Sequence, residues 1–299
     1  MIAPRKLKKG DKIGIISTAR KISYEEILPA INILNEWGLE IVFGESLFKE
    51  YYQFSGNIEQ RTLDLQLMLN DKNIKAILCA RGGYGTVQIV DKIDFKIFKK
   101  SPKWIIGYSD VTVLHSHINN FGIATMHSTM PINFPNNTSK SLISLKESLF
   151  NNHITYQIDP EINNKIGDIE AELVGGNLSI IYSLLGSPSQ LKTKNKILFI
   201  EDVDEYLYHI DRMVINLKRN NIFSNIKGLI VGSMTEMNDN HIPFGKTTTE
   251  IISSYMSEYT FPICYNFPSG HLNDNRSLVL GANTKLSIQK NGVILEQKY

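Results

Sequence analysis

Through the first half of the chain, short apolar runs alternate with longer stretches in which apolar positions recur every three or four residues. Ile13 to Ser17, Glu40 to Phe43, Ala76 to Cys79, Trp104 to Ile106 and Ile123 to Met126 read as strands, and the amphipathic stretches between them as helices. That alternation predicts an α/β fold whose N-terminal part is a mainly parallel sheet flanked by helices. One helix is bounded at both ends. Ser23 and Glu26 form a capping box, Ile22 and Ile27 a hydrophobic staple, and Gly38 supplies a left-handed stop after Trp37. Pro29 lies inside this pattern, where a proline is expected to kink the helix or delay its regular start.

Between Pro131 and Lys165 the periodicity weakens into an Asn-rich, Pro-containing stretch, broken by one helical run from Ser141 to Phe150. A domain junction is expected there, dividing the chain into residues 1–152 and 153–299. Beyond it Lys196 to Ile200, Gly228 to Val231, Ile263 to Tyr265, Leu278 to Leu280, Lys285 to Gln289 and Val293 to Glu296 read as strands. The later ones crowd together, which suggests hairpins and a mixed α/β second domain.

Composition narrows the function classes. With 299 residues, 42% of them hydrophobic, the chain can bury a substantial core. Thirty-two Lys and Arg against thirty Asp and Glu leave a net charge of +2, so no global field favours nucleic acid or a membrane as partner. The basic run Arg5 to Lys9 reads as a solvated surface segment. The apolar stretch Ile13-Gly14-Ile15-Ile16 that follows is too short for a signal-peptide core, so a cytoplasmic protein is expected. Cys79 and Cys264 sit in apolar runs and read as buried structural thiols. No His-x-x-x-His, Cys-x-x-Cys or clustered carboxylate pattern occurs, so a metal-dependent mechanism is not expected.

Four segments could carry chemistry. Trp104-Ile105-Ile106-Gly107-Tyr108-Ser109-Asp110 is an apolar strand running into a tight turn before a helical stretch, as in a nucleophile elbow. Such a turn projects the serine hydroxyl above the sheet and aims the next backbone amide at a developing oxyanion; a helix-capping serine is the plainer reading. Ala76 to Gly85 is a second strand ending in a glycine-rich turn, Arg81-Gly82-Gly83-Tyr84-Gly85, that lets backbone approach a ligand. It lacks the Lys-Ser/Thr of a phosphate loop. Arg81 could pair with a substrate carboxylate or make a structural salt bridge. Ile197 to Asp202 ends an apolar strand in two carboxylates, and Glu201 could orient an imidazole, with Asp204, Glu205 and Asp211 as competitors. Phe267 to His271 places a histidine in a loop just after a glycine. His115 and His117 fall on the helix after the elbow, His127 at a strand end where it could line the site, and His209 and His241 on helix and loop surface; His153 has no context.

Together these segments resemble, in order and spacing, the LD-carboxypeptidase family of serine peptidases, which includes murein tetrapeptide carboxypeptidases and the microcin C immunity peptidase. The likeness spans nearly the whole chain. It runs from Gly10 to Ile15 through Arg61 to Leu69, the Arg81 to Gly85 turn, Ile106 to Asp110, Gly175 to Ser179, Ile200 to Asp202 and Ile210 to Met213 to Gly270-His271. It implies Ser109 as nucleophile, Glu201 as the triad acid and His271 as base, with no metal or organic cofactor needed. The Gly83 and Asp110 amides would form the oxyanion hole; Arg81 and Tyr84 of the same turn are expected to contact substrate from their placement at the strand end, a role the resemblance does not itself assign. It further implies an N-terminal domain like class I glutamine amidotransferases, a swivelling β/β/α C-terminal domain, and a homodimer. The expected substrate is a small murein-derived peptide ending in D-alanine. Rival readings are an immunity-type peptidase acting on peptidyl or acyl-sulfamoyl nucleotides, with Tyr206 or Tyr208 stacking on the base, and a non-catalytic peptide-sensing module. Two departures from the family pattern bear on substrate detail. Leu272-Asn273-Asp274-Asn275 follows His271 where a proline is common, and Ser128-Thr129 follows His127 in place of Gly-Pro.

Overall fold

A computed structural model describes residues 1–299 as two packed sheets with their helices. Strands β1 (Lys12–Ile16), β2 (Glu40–Phe43), β3 (Ile74–Cys79), β4 (Trp104–Gly107) and β5 (Thr125–His127) form a parallel array in the order β5-β4-β3-β1-β2. Helices α1 (Tyr24–Glu36), α2 (Ile58–Asn70), α3 (Lys96–Lys100), α4 (Thr112–Asn119) and α5 (Ser139–Phe150) accompany it. The central strands are apolar at successive positions because both of their faces are covered. Ile13, Leu78 and Ile106 face a core with α1 and α5, whereas Ile77, Cys79 and Ile105 face another with α2 and α4. Burial pushes the free Cys79 and Cys264 thiols up to about 12.

The second sheet holds β6 (His153–Ile158), β7 (Gly167–Asn177), β8 (Ile197–Val203), β9 (Gly228–Thr235) and β10 (Ile263–Cys264), followed in the chain by β11 (Leu278–Leu280), β12 (Asn283–Gln289) and β13 (Gly292–Lys298). Its order is β10-β9-β8-β7-β12-β13-β6, parallel from β7 to β10 and antiparallel from β7 to β6. Helices α6 (Leu178–Ser183), α7 (Leu207–Arg219) and α8 (Thr248–Met256) pack on its parallel part. Leu278 to Leu280 does not join the late hairpins. As β11 it crosses to the first sheet and pairs antiparallel with β5, completing a six-stranded sheet.

The capping box expected at Ser23 is present, and α1 runs through Pro29 without a break. The carbonyl deprived of its partner there is that of Glu25, an exposed residue, so water can serve it. The ends of β3, β4 and β8 and the loop after β10 converge on one cleft between the sheets.

Candidate active site

Ser109 stands immediately beyond β4, at φ 61°, in the left-handed region that a side chain adopts only under constraint. Gly107 (φ 154°) and the 3-10 turn Ser109–Val111 complete a sharp strand-to-helix elbow leading into α4. Gly82 lies beneath it. A Cβ built there would come within 3.0 Å of Ser109 Cβ and 3.1 Å of its Oγ, so the serine side chain packs closely on this glycine.

The glycine-rich turn is held from behind by Arg61, to which sequence reading gave no role, and by the side chain of Asp110. Arg61 is 1% exposed and donates to the carbonyls of Thr18 (2.7 Å), Gly85 (3.1 Å) and Gly56 (3.3 Å) and to Gln88 Oε1 (2.7 Å). Burial lowers the guanidinium's pKa, opposed by the nearby Asp110 charge. Asp110 in turn accepts from the Thr86 amide at 2.8 Å, fixing the elbow to the segment just after Gly85. Burial pushes the Asp110 carboxyl up, against the pull of Thr86 and Arg61. Gly83 and Asp110 thereby border the same cleft as Ser109.

Across the cleft, Glu201 is fully buried on β8, and its Oε2 accepts a hydrogen bond from His271 Nδ1 at 2.7 Å. Gly270, at φ 119°, permits this approach: a Cβ there would sit 2.7 Å from Glu201 Oε2. The histidine loop is fixed by Asn275 Oδ1, which accepts from Gly270 N (2.9 Å), and by Thr235 Oγ1, which donates to His271 O (2.8 Å). Burial alone would raise the Glu201 carboxyl, but the His271 charge and hydrogen bond, with His127 beside it, hold it at about 2. Burial disfavours the charged imidazole of His271. The charge and hydrogen bond of Glu201, with Asp202 and Glu236 nearby, outweigh that and raise its pKa.

The competing carboxylates are engaged elsewhere. Asp202 accepts from Asn177 Nδ2 (2.8 Å), Val203 N (2.9 Å) and Ser179 N (2.9 Å), and burial together with the Glu201 charge pushes it up to about 7. Glu205 meets His209 (2.5 Å), Asp204 accepts from Asn238 (2.8 Å), and Asp211 from Tyr255 (2.8 Å).

The cleft has a volume of about 570 Å³ and contains both Ser109 and His271, which make no direct hydrogen bond. Such contacts commonly tighten only when substrate arrives. Tyr108 packs on His271 with ring centroids 4.7 Å apart. Arg81 lines the cleft and donates one bond, from Nη1 to Lys21 O at 3.0 Å, with no carboxylate against it. Arg20, unnoticed in the sequence, lines it too, and its stem lies over Gly83, where a Cβ would be 2.6 Å from Arg20 Cδ. Tyr84, the other residue expected to contact substrate, lies outside the cleft lining. The positive φ values of Gly83 and Gly85 turn the chain so that its ring, 47% exposed, leans toward Phe54 outside the cleft lining.

Residues 13–128 match the LD-carboxypeptidase N-terminal domain and residues 170–286 the LD-carboxypeptidase C-terminal domain. The chain belongs to the LD-carboxypeptidase family. It is thus a peptide hydrolase. A Bacillus subtilis protein described as "Probable murein peptide carboxypeptidase" is 32% identical over 98% of this chain and 94% of its own. The murein tetrapeptide carboxypeptidase of Pseudomonas aeruginosa is 26% identical over 90% and 91%. Among solved structures, muramoyltetrapeptide carboxypeptidase from Oxalobacter formigenes superposes with a TM-score of 0.89 at 24% identity, covering 96% of this chain and 99% of that one. The microcin C7 self immunity protein MccF has the same fold, with a TM-score of 0.89 at 21% identity over 100% and 99%.

Where this member departs from the LD-carboxypeptidase pattern, the substituted residues carry loop contacts. Ser128 Oγ meets Ser277 Oγ at 2.5 Å, Thr129 donates to Asn137, and Asn275 holds the Gly270 amide. The family's paired glycines are explained by packing. At Gly176 (φ 142°) a Cβ would meet Thr112 Oγ1 at 2.5 Å, so the end of β7 can press against the start of the elbow helix.

Proposed function

We propose that this LD-carboxypeptidase is a serine enzyme that hydrolyses the L,D-peptide bond to the terminal D-alanine of a murein tetrapeptide. The observation that carries the reading is His271 held by buried Glu201 at 2.7 Å, in the same cleft as Ser109 on its strained elbow. Ser109 attacks the carbonyl before D-alanine while His271 takes the serine proton and then delivers it to the leaving amine. Glu201 fixes the imidazole tautomer and stabilises the imidazolium. Water, activated by the same histidine, releases the acyl group. The amides of Gly83 and Asp110 receive the oxyanion, each worth about 3 kcal/mol to the transition state. Arg81 and Arg20, which face the cleft without a carboxylate partner, take the substrate's terminal carboxylate.

Residues 1–152 supply the nucleophile and residues 153–299 the acid and base, with β11 as the second segment's contribution to the first sheet. In this reading the enzyme works in the cytoplasm as a homodimer on wall-derived peptides, as the family resemblance implies. The test is mass spectrometry of murein tetrapeptide incubated with the protein, in which loss of one D-alanine is expected. One feature favours a second reading: the exposed Tyr206 and Tyr208 rings lie 5.5 Å apart, a platform on which a base could stack. Cleavage of an aminoacyl-sulfamoyl nucleotide with the tetrapeptide left intact would favour it, and turnover of neither a sensing module.

A further inference from the structure

The first sheet also reaches the triad acid. His127, the last residue of β5, pairs with Gly107 of β4 and Leu278 of β11, and its side chain is fully buried. Its ring stands edge-on to Phe199, two residues before Glu201 on β8, with centroids 4.9 Å apart. Its Nε2 faces Glu201 Oε1 at 3.8 Å. Neither of these atoms has a hydrogen-bond partner, although both are sealed from solvent. Two buried unpartnered groups of opposite polarity, aimed at each other, are costly to leave apart and are satisfied together by a closure of about 1 Å to normal hydrogen-bond length.

The facing carboxylate sets the tautomer. His127 Nδ1 lies 3.3 Å from Ser269 Oγ, whose hydroxyl also reaches Arg276 O at 2.9 Å. With the proton on Nε2, Nε2 donates to Glu201, and the single Ser269 hydroxyl proton is shared between Nδ1 and Arg276 O. The reverse tautomer sets a lone pair against a carboxylate.

We infer that His127 is a positioning residue: its Nε2–H holds Glu201 Oε1 while His271 holds Oε2, locking the triad acid of one sheet to the sheet that carries Ser109. This rests on the reading of Ser109, His271 and Glu201 as a triad. Because the nucleophile and its base come from different sheets, a bond from β5 to Glu201 sets their separation. A carboxylate with both oxygens engaged also cannot rotate away when His271 becomes charged. The titratable groups facing His127 are Glu201, His115 of α4 (6.5 Å between rings) and Tyr108 (5.8 Å). Those facing His271 are Glu201, Asp202, Glu236 and Tyr108.

The test is side-chain nitrogen NMR of the free protein, with kinetics alongside. In the wild type, His127 should show the Nε2–H tautomer; a bare Nε2 overturns the inference whatever the variants do. In His127→Phe, which keeps the ring packing, Glu201 loses a donor, and the His271 titration should rise by about half a pH unit. Its kcat on tetrapeptide should fall about tenfold with KM little changed, and His127→Gln, whose amide nitrogen can take the place of Nε2, should recover part of both. An unmoved His271 titration in folded His127→Phe, or in His127→Ala should the former not fold, overturns it. These spectra need no substrate. Should Ser109→Ala retain turnover, the triad reading fails while the His127–Glu201 contact is still measured independently.

Discussion

His271 Nδ1 and Glu201 Oε2 lie 2.7 Å apart, the histidine on a loop that opens to the cleft and the carboxylate sealed inside β8. The pair divides its roles by burial. The sealed carboxylate stays ionised because the imidazole is beside it, and the imidazole keeps one edge free for chemistry. The proposed nucleophile, Ser109, belongs to the other sheet, so its alignment with the pair depends on how the two sheets pack, which Gly176 against Thr112 helps to set.

Ser109→Ala and His271→Ala should each abolish turnover of a D-alanine-terminated peptide while leaving the fold intact, since neither side chain is part of a core cluster. Ser109→Gly should be equally inactive yet more stable than the wild type by about 1 kcal/mol, because glycine relieves the left-handed strain at φ 61°. Urea denaturation checks this, and a destabilised glycine variant would show that the elbow is not strained.

Arg81→Lys should raise KM about tenfold with little change in melting temperature, because lysine loses the guanidinium fork. Arg20→Ala should act in the same direction. A substrate whose terminal carboxylate is capped as an amide separates recognition from support: its KM should be indifferent to both changes. Loss of stability with an unchanged KM would assign Arg81 to structure, through its bond to Lys21 O.

Local signals carried the elements whose partners are close in the chain. The capping box at Ser23, the strand-to-elbow passage at Trp104 to Ser109 and the carboxylates closing β8 are all legible, since each depends on residues within one turn or strand. Two strands were hidden. The outer strand β6 buries only alternate residues among polar ones, and β7 ends in glycines that argue against a strand until their packing on Phe199 and Thr112 is seen. Leu278 to Leu280 read as a strand, but nothing local says that it pairs with β5 across the molecule. In the site, the residues proposed to do chemistry sit at strand ends or in the loops after them, with recognisable neighbours. Arg61 and Asn275 had no comparable signal, because a supporting group is defined by the distant carbonyl or amide it serves.

Arg61→Leu tests that support. The substitution removes a buried guanidinium and strands the carbonyls of Thr18 and Gly85, so a loss of about 3 kcal/mol is expected. Because Gly85 closes the turn bearing Gly83, kcat should fall as well, with KM less affected. Chemical denaturation and steady-state kinetics on one preparation check both, and a stability loss with full kcat would detach Arg61 from the oxyanion turn.

The pH dependence of activity tests the Glu201–His271 pair most directly. A base must be neutral to accept the serine proton, and an ordinary histidine titrates at about pH 6.5. Glu201 favours the imidazolium and prevails over burial, so the folded-state pKa of His271 is raised. The acidic limb of kcat/KM should therefore have its midpoint above that of an ordinary histidine, with activity lost as pH falls through it. Glu201 itself, held at about 2, stays ionised across the whole range and adds no limb of its own. Glu201→Gln removes the charge that raises His271, so the midpoint should move down. The plateau should also drop, by roughly 10³-fold or more, because the amide no longer enforces the tautomer with the proton on Nδ1. Profiles of both enzymes on a D-alanine-terminated peptide give the two quantities together. A midpoint that falls with an unaltered plateau would leave Glu201 only an electrostatic influence and transfer the orienting role to Asp202, Asp204 or Glu205.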